Sequence, residues 1–336
     1  MPRKRWISLV MVACFTSAFV AQGDYHLRLP VGLSQQALNI PKDNPLTEGK
    51  VALGKQLFFD SRLSADGTVS CASCHDSQRA FTDGRPRSVG VKGRKTSRNS
   101  PTLINRALGD SFFWDGRAAS LEALTLEVIE LLPAFGTTHE VLVNKLKRIG
   151  GYRRQFEQVF GGTVTAERVA MALATFVRTI LSGNSPFDRF EAGDRTALSP
   201  AAQRGLELFR GNANCAKCHM GFNFTDEKFH NTGVGLYDPN PDLGRYNITK
   251  RDEDKGAFKT PTLRDIAKTA PYMHDGSLKT LEEVIQFYDK GGIKNPYLSK
   301  EIKPLHLTSE EKADLVAFLN SLTGEGLNVT APKLPR

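Results

Sequence analysis

The sequence predicts an all-α protein built from two tandem copies of one unit, on three observations: a twice-used cysteine motif, an internal repeat, and apolar residues at helical spacing. The motif is Cys71-Ala72-Ser73-Cys74-His75, used again as Cys215-Ala216-Lys217-Cys218-His219. The repeat has two parts. Gly54-Lys55-Gln56-Leu57-Phe58 precedes the first motif, as Gly205-Leu206-Glu207-Leu208-Phe209 precedes the second. After the motifs, Pro101-Thr102-Leu103 matches Pro261-Thr262-Leu263, Asp115-Gly116 matches Asp275-Gly276, and Leu121-Glu122 matches Leu281-Glu282, all at an offset of 160. So long an ungapped match marks a duplication. Helical spacing is clearest where Val169, Leu173, Phe176, Val177 and Ile180 recur, and where Thr308-Ser309-Glu310-Glu311 forms a capping box ahead of Leu315, Phe318, Leu319 and Leu322. Residues 76–98, rich in Gly, Pro, Arg and Ser, read as a long loop, and long β-runs are absent.

At 336 residues with 40% apolar content, the chain can bury a core in each of two domains. These are expected at 40–190 and 197–326, with Ser182-Gly183-Asn184-Ser185-Pro186 and Ser199-Pro200 marking the junction. Residues 1–21 read as an export signal, with Arg3-Lys4-Arg5 ahead of the apolar Ile7–Val20 stretch. Val12-Ala13-Cys14 also resembles a lipoprotein box, which would leave Cys14 as a lipid anchor. The expected location is the periplasm, with membrane attachment only through Cys14. The net charge of +9 falls to +6 without those three basic residues. With no basic stripe interleaved with aromatics, nucleic-acid binding is excluded. The Lys92, Arg94, Lys95, Arg98 run reads as a solvated loop.

The motif carries specific chemistry. Two thiols a helical turn apart add across the two vinyl groups of haem, and the following histidine then lies under the iron. A zinc site would need a fourth ligand, and disulfides would leave both histidines unexplained. The fold class is therefore two tandem cytochrome c-like haem domains, with two covalently bound haem c groups at Cys71, Cys74, His75 and at Cys215, Cys218, His219.

The opposite face of each iron separates a carrier from a catalyst, because an iron with one protein ligand stays open to peroxide. The loop 76–98 contains no His or Met, and Lys92 or Lys95 would first have to lose a proton, so the first iron is expected to be open. For the second, Met220, His230, Met273, His274 and Tyr288 are candidates. Met220 adjoins His219 and cannot reach around the ring. Spacing alone does not rank the rest.

Asn99-Ser100-Pro101-Thr102-Leu103, Phe113-Trp114-Asp115-Gly116-Arg117 and Thr269-Ala270-Pro271-Tyr272-Met273-His274-Asp275-Gly276, together with both haem motifs, resemble the bacterial di-haem cytochrome c peroxidases and MauG over residues 45–325. The resemblance implies a calcium ion between the domains, held by the Asn99 side chain and the Thr269 and Pro271 carbonyls; oxygen ligands suit it. Without the resemblance, Asn99 reads as a turn residue. It places the second haem's distal ligand seventeen residues after Pro271, at Tyr288, where peroxidases carry methionine and MauG-like proteins tyrosine. Otherwise Tyr288 is core packing on the Leu281, Val284, Ile285 face. The repeat partner of Tyr288 is Val128, which cannot bind iron. The resemblance also makes Trp114, otherwise a core residue, the electron relay between haems.

One departure stands out. The family's distal glutamate, twenty residues after the tryptophan, is here Ala134, and nearby Gln and Pro positions are Leu124 and Val128. Glu130 is the first candidate to replace it as acid–base catalyst, with Glu127 and His139 behind it. The implied function is a di-haem peroxidase reducing hydrogen peroxide with electrons from a small cytochrome c, cupredoxin or organic donor. The alternatives are a MauG-like oxidase modifying a partner protein through high-valent haem iron, and a non-enzymatic electron carrier or haem sensor. The resemblance also implies that a homodimer is within the family's range.

Overall fold

The computed structural model describes residues 23–325, 327 and 329–336. The expected export signal and Cys14 lie outside the described residues. Among the described residues no helix is long and apolar enough to cross a membrane.

In the first unit, α1 (Glu48–Phe59) leads to α2 (Cys71–Cys74), followed by α3 (Leu121–Glu130), α4 (His139–Arg148), α5 (Gly150–Phe160) and α6 (Ala166–Arg178). In the second, α7 (Pro186–Glu191) and α8 (Pro200–Arg210) precede β1 (Phe229–Asn231), α9 (Tyr246–Thr249), β2 (Ala257–Lys259), α10 (Leu281–Asp289) and α11 (Ser309–Asn320). The fold is all-α apart from the antiparallel β1–β2 ribbon, in which Phe229 pairs with Lys259. The capping box at Thr308 forms as the sequence predicts, and Thr165 caps α6.

Both units rest on the same helix crossing. Gly54 of α1 faces the backbone of α6, and Gly205 of α8 faces that of α11. A Cβ on Gly54 would lie 1.9 Å from the Ala172 carbonyl oxygen, and one on Gly205 would lie 2.0 Å from that of Asp314. Only hydrogen fits at either crossing. One turn further on, Phe58 meets Phe176 with ring centroids 5.1 Å apart, and Phe209 meets Phe318 at 5.0 Å. Each buried phenylalanine contributes on the order of 2–3 kcal/mol of apolar burial. The first core gathers Leu53, Leu57, Phe81, Tyr152 and Phe156 around this pair; the second gathers Phe187, Phe224, Leu315 and Leu319.

The junction differs in detail from the sequence expectation. All of α7 but Glu191 falls within 40–190, yet its Phe187 packs into the second core. Its Asp188 forms a fully buried ion pair with Arg264, 2.7 Å, and Arg264 also donates to the Gly32 carbonyl. The far end of the chain crosses the other way. Leu327 and Val329 pack against the first core, and Gly151 N donates to the Arg336 carbonyl at 2.7 Å. Chain order does not reveal such returns, because they rest on contacts hundreds of residues apart.

Candidate haem sites and the path between them

α2 is one turn long, capped by reciprocal bonds between Ser70 and Ser73, and it presents Cys71 and Cys74 on one side. His75 ends that turn, with its N–H bonded to the Cys71 carbonyl at 2.9 Å. The second motif forms a 3-10 turn with the equivalent bond, His219 N to the Cys215 carbonyl, also 2.9 Å. None of the four motif cysteines forms a disulfide.

Each imidazole is oriented identically. His75 Nδ1 donates to the Phe81 carbonyl and His219 Nδ1 to the Phe224 carbonyl, both at 2.9 Å. This fixes the tautomer and leaves each Nε2 free for a metal. Burial lowers the pKa of both rings, favouring the neutral, ligating form, against a smaller opposing effect of the carbonyl bonds. Phe81 and Phe224 both adopt positive φ, 59° and 52°. A bulky residue in that region is strained, and here the strain aims a carbonyl at the histidine in both units. These two residues were not visible as site residues in the sequence, because they follow their histidines at different spacings. The donor set suits haem c on both sides.

His219 and Tyr288 line one cavity, which also reaches Trp114 and Asn99 at the unit boundary. The candidate distal ligands separate there. Met220 is 48% exposed and points away, as expected. His230 and His274 line the cavity but are otherwise engaged: His230 Nε2 bonds Asp226 at 2.8 Å, and His274 stacks on Phe258 with centroids 3.5 Å apart. Burial lowers the pKa of His274 to about 4, so it is neutral. Met273 lines the cavity too. The Tyr288 phenol has no hydrogen-bond partner among the described residues. Burial pushes its pKa up, and Cys215 and Cys218 line the same cavity.

Trp114 belongs to the first unit but is held from both sides. Its Nε1 donates to the Asn99 carbonyl at 2.9 Å, and its own carbonyl accepts from Lys259 N of β2 at 2.8 Å. Beside it, Arg98 bridges Asp115 (2.7 Å) and Asp242 (2.6 Å), pinning the end of the 76–98 loop to the second unit. Asn99 N donates to the His274 carbonyl at 2.7 Å.

On the first haem's side, α3 carries the sequence candidates for acid–base chemistry. Glu130 is exposed at its C-terminal end, with Oε1 3.5 Å from His139 Nδ1. It lies two residues beyond Val128, about 200° around the helix axis. If α3 turns the same face to its haem as α10 does, that face is Leu121, Leu124 and Val128. Glu130, expected as the acid–base catalyst, is thus exposed and set beside His139. Glu127 is taken by Arg117, and His139 Nε2 by the Leu126 carbonyl at 2.9 Å. Ala134 is buried, its carbonyl accepting from Val91 N of the loop at 3.1 Å.

The profile of the family described as di-haem cytochrome c peroxidase matches residues 48–196, and that of cytochrome c matches 202–323. The methylamine utilization protein MauG of Methylorubrum extorquens is 46% identical, over 88% of this chain and 84% of its own. The chain belongs to the di-haem cytochrome c peroxidase and MauG family. The cytochrome-c peroxidase IdrP1 of Denitromonas iodatirespirans, another relative, is 38% identical over 98% of this chain and 96% of its own. A solved MauG-like protein associated with microbial copper homeostasis superposes with a TM-score of 0.83 at 36% identity, over 90% of this chain and 97% of that one. Family membership makes the chain a di-haem oxidoreductase of the peroxidase type, with haem c at both motifs.

Proposed function

We propose that the protein reduces hydrogen peroxide at the first haem and draws electrons through the second. The observation that carries this reading is the unequal pair Val128 and Tyr288, at equivalent places in a duplicated scaffold. Haem, when bound, would supply the redox chemistry, with peroxide taken up where no second residue holds the iron. His75 and His219 ligate through Nε2, held by the Phe81 and Phe224 carbonyls. Tyr288 would hold the second iron, whereas Val128 has no atom that could ligate the first. Trp114, fixed by Asn99 and Lys259, spans the boundary and relays electrons. Each peroxide takes two electrons and two protons to give two waters. With Ala134 in place of the family glutamate, and Glu130 facing solvent, neither position would offer a carboxylate to move the proton, and slower peroxide reduction than in members with that glutamate is expected.

A calcium ion at the boundary fits the residues present. Asn99 is buried and its amide nitrogen donates to the Arg85 carbonyl at 2.8 Å, which leaves its oxygen as a ligand. The Thr269 and Pro271 carbonyls accept no backbone hydrogen bond among the described residues, and all three residues line the cavity. Calcium there would tie the two units together. The basic n-region and short apolar stretch support export to the periplasm, released or held through Cys14.

Steady-state oxidation of reduced cytochrome c or cupredoxin by peroxide tests the reading. Turnover above that of free haem is expected; turnover no faster than free haem rejects it. Tyr288 and the likeness to MauG favour a second reading, in which a partner protein is the electron source. Peroxide consumption that small donors cannot sustain, but a partner protein from the same organism can, would select it.

A further inference from the structure

Beside the cavity at the unit boundary, two buried cations share one carboxylate. Lys259, the last residue of β2, lines the cavity and is only 8% exposed. Its Nζ lies 3.1 Å from Glu227 Oε2, while Arg106, from the first unit and 9% exposed, lies 3.4 Å from Oε1. Asp110 also acts on Lys259, but it is exposed. Burial pushes the Lys259 ammonium down to about 8, Arg106 adds to that, and Glu227 offsets only part. A buried cation in this position is costly unless a further anion meets it.

Backbone geometry holds Lys259 at the wall. Its N–H bonds the Trp114 carbonyl, and it pairs with Phe229 in the ribbon. Cys215, Cys218 and Lys259 all line the same cavity. Haem c has its thioether bonds on one edge and its two propionate carboxylates on the opposite edge. A haem anchored at the cysteines therefore carries its anionic edge away from them, into the remainder of that space. We propose that Lys259 binds a propionate of the second haem, with Glu227 and Arg106 as positioning residues that hold the ammonium in place. The inference rests on a haem seated at Cys215, Cys218 and His219. A cation at the propionate favours the reduced iron, so Lys259 raises the potential of the haem that feeds Trp114.

The test uses the two-haem holoprotein and the variants Lys259→Met, Lys259→Arg and Glu227→Gln. Spectroelectrochemical titration reads both midpoints, resonance Raman reads the propionate bending band, and pyridine haemochrome counts haems. Lys259→Met should lower the second haem's midpoint and shift its propionate band, moving the first haem's midpoint severalfold less. Lys259→Arg should restore both, and Glu227→Gln should move the midpoint upward. An unmoved band and midpoint in Lys259→Met with two haems per chain, or equal shifts at both haems, would overturn the propionate contact. Wild-type protein with a single haem would instead overturn the reading beneath it. If Lys259→Met does not fold, Glu227→Gln decides, and an unchanged or lowered midpoint rejects the proposal.

Discussion

The two units keep one backbone and differ at the positions that carry chemistry. Asn105 and Asp265 share a left-handed conformation, φ 59° and 55°, and their N–H groups bond the carbonyls of Ile180 and Leu322. Thr102 and Thr262 both turn their hydroxyls to a carbonyl, of Ala80 (2.6 Å) and of Asn223 (2.7 Å). Phe113 and Met273 share positive φ, 64° and 72°, in matching turns closed by Phe112–Ala118 and Tyr272–Leu278 bridges. Against this background, Asn99 faces Lys259 across the repeat, Trp114 faces His274, and Val128 faces Tyr288. Backbone that seats a haem tolerates little change, because strained carbonyls must meet each histidine. Side chains on the distal face and at the boundary differ between the units, and under the proposed function that difference gives each iron its task.

The comparison can be broken most forcefully by making the halves alike. Val128→Met places a thioether on α3 where α10 carries Tyr288. We expect the first iron to become low-spin and peroxide turnover to fall at least tenfold, about 1.4 kcal/mol or more of barrier. Unchanged turnover with the methionine in place would mean that α3 does not face the first haem.

Trp114→Phe sharpens the second difference. It removes the indole and its bond to Asn99 while leaving both haem motifs intact. Stopped-flow spectroscopy should show electron transfer between the haems slowed by about tenfold, again near 1.4 kcal/mol, with peroxide binding at the first haem retained.

The conserved crossings give the smallest functional effect. Gly54→Ala and Gly205→Ala should each lower stability by about 1–3 kcal/mol through overpacking, with similar losses in denaturant unfolding. A large loss at one and none at the other would deny the shared architecture.

Local chemistry was legible in the sequence. The haem motifs place thiols and histidine within one turn, and α6 and α11 announce themselves through caps and apolar period. The duplication exposed Val128 against Tyr288 without any structure. Features made by distant contacts were hidden. Glu130 looked available because helical phase at the end of α3 was uncertain by a residue or two, and one residue turns a side chain through about 100°. α7 adjoins the first unit in sequence but packs its Phe187 in the second core. The Arg106, Glu227 and Lys259 cluster joins Arg106 to residues more than a hundred positions away, with no motif to mark it.

Under the proposed function Tyr288 caps one iron and no described residue caps the other. EPR of the ferric holoprotein beside Tyr288→Phe reads this directly. One high-spin and one low-spin signal are expected, with the low-spin signal lost in the variant. Two low-spin signals in the wild type, or a low-spin signal that survives Tyr288→Phe, would contradict it.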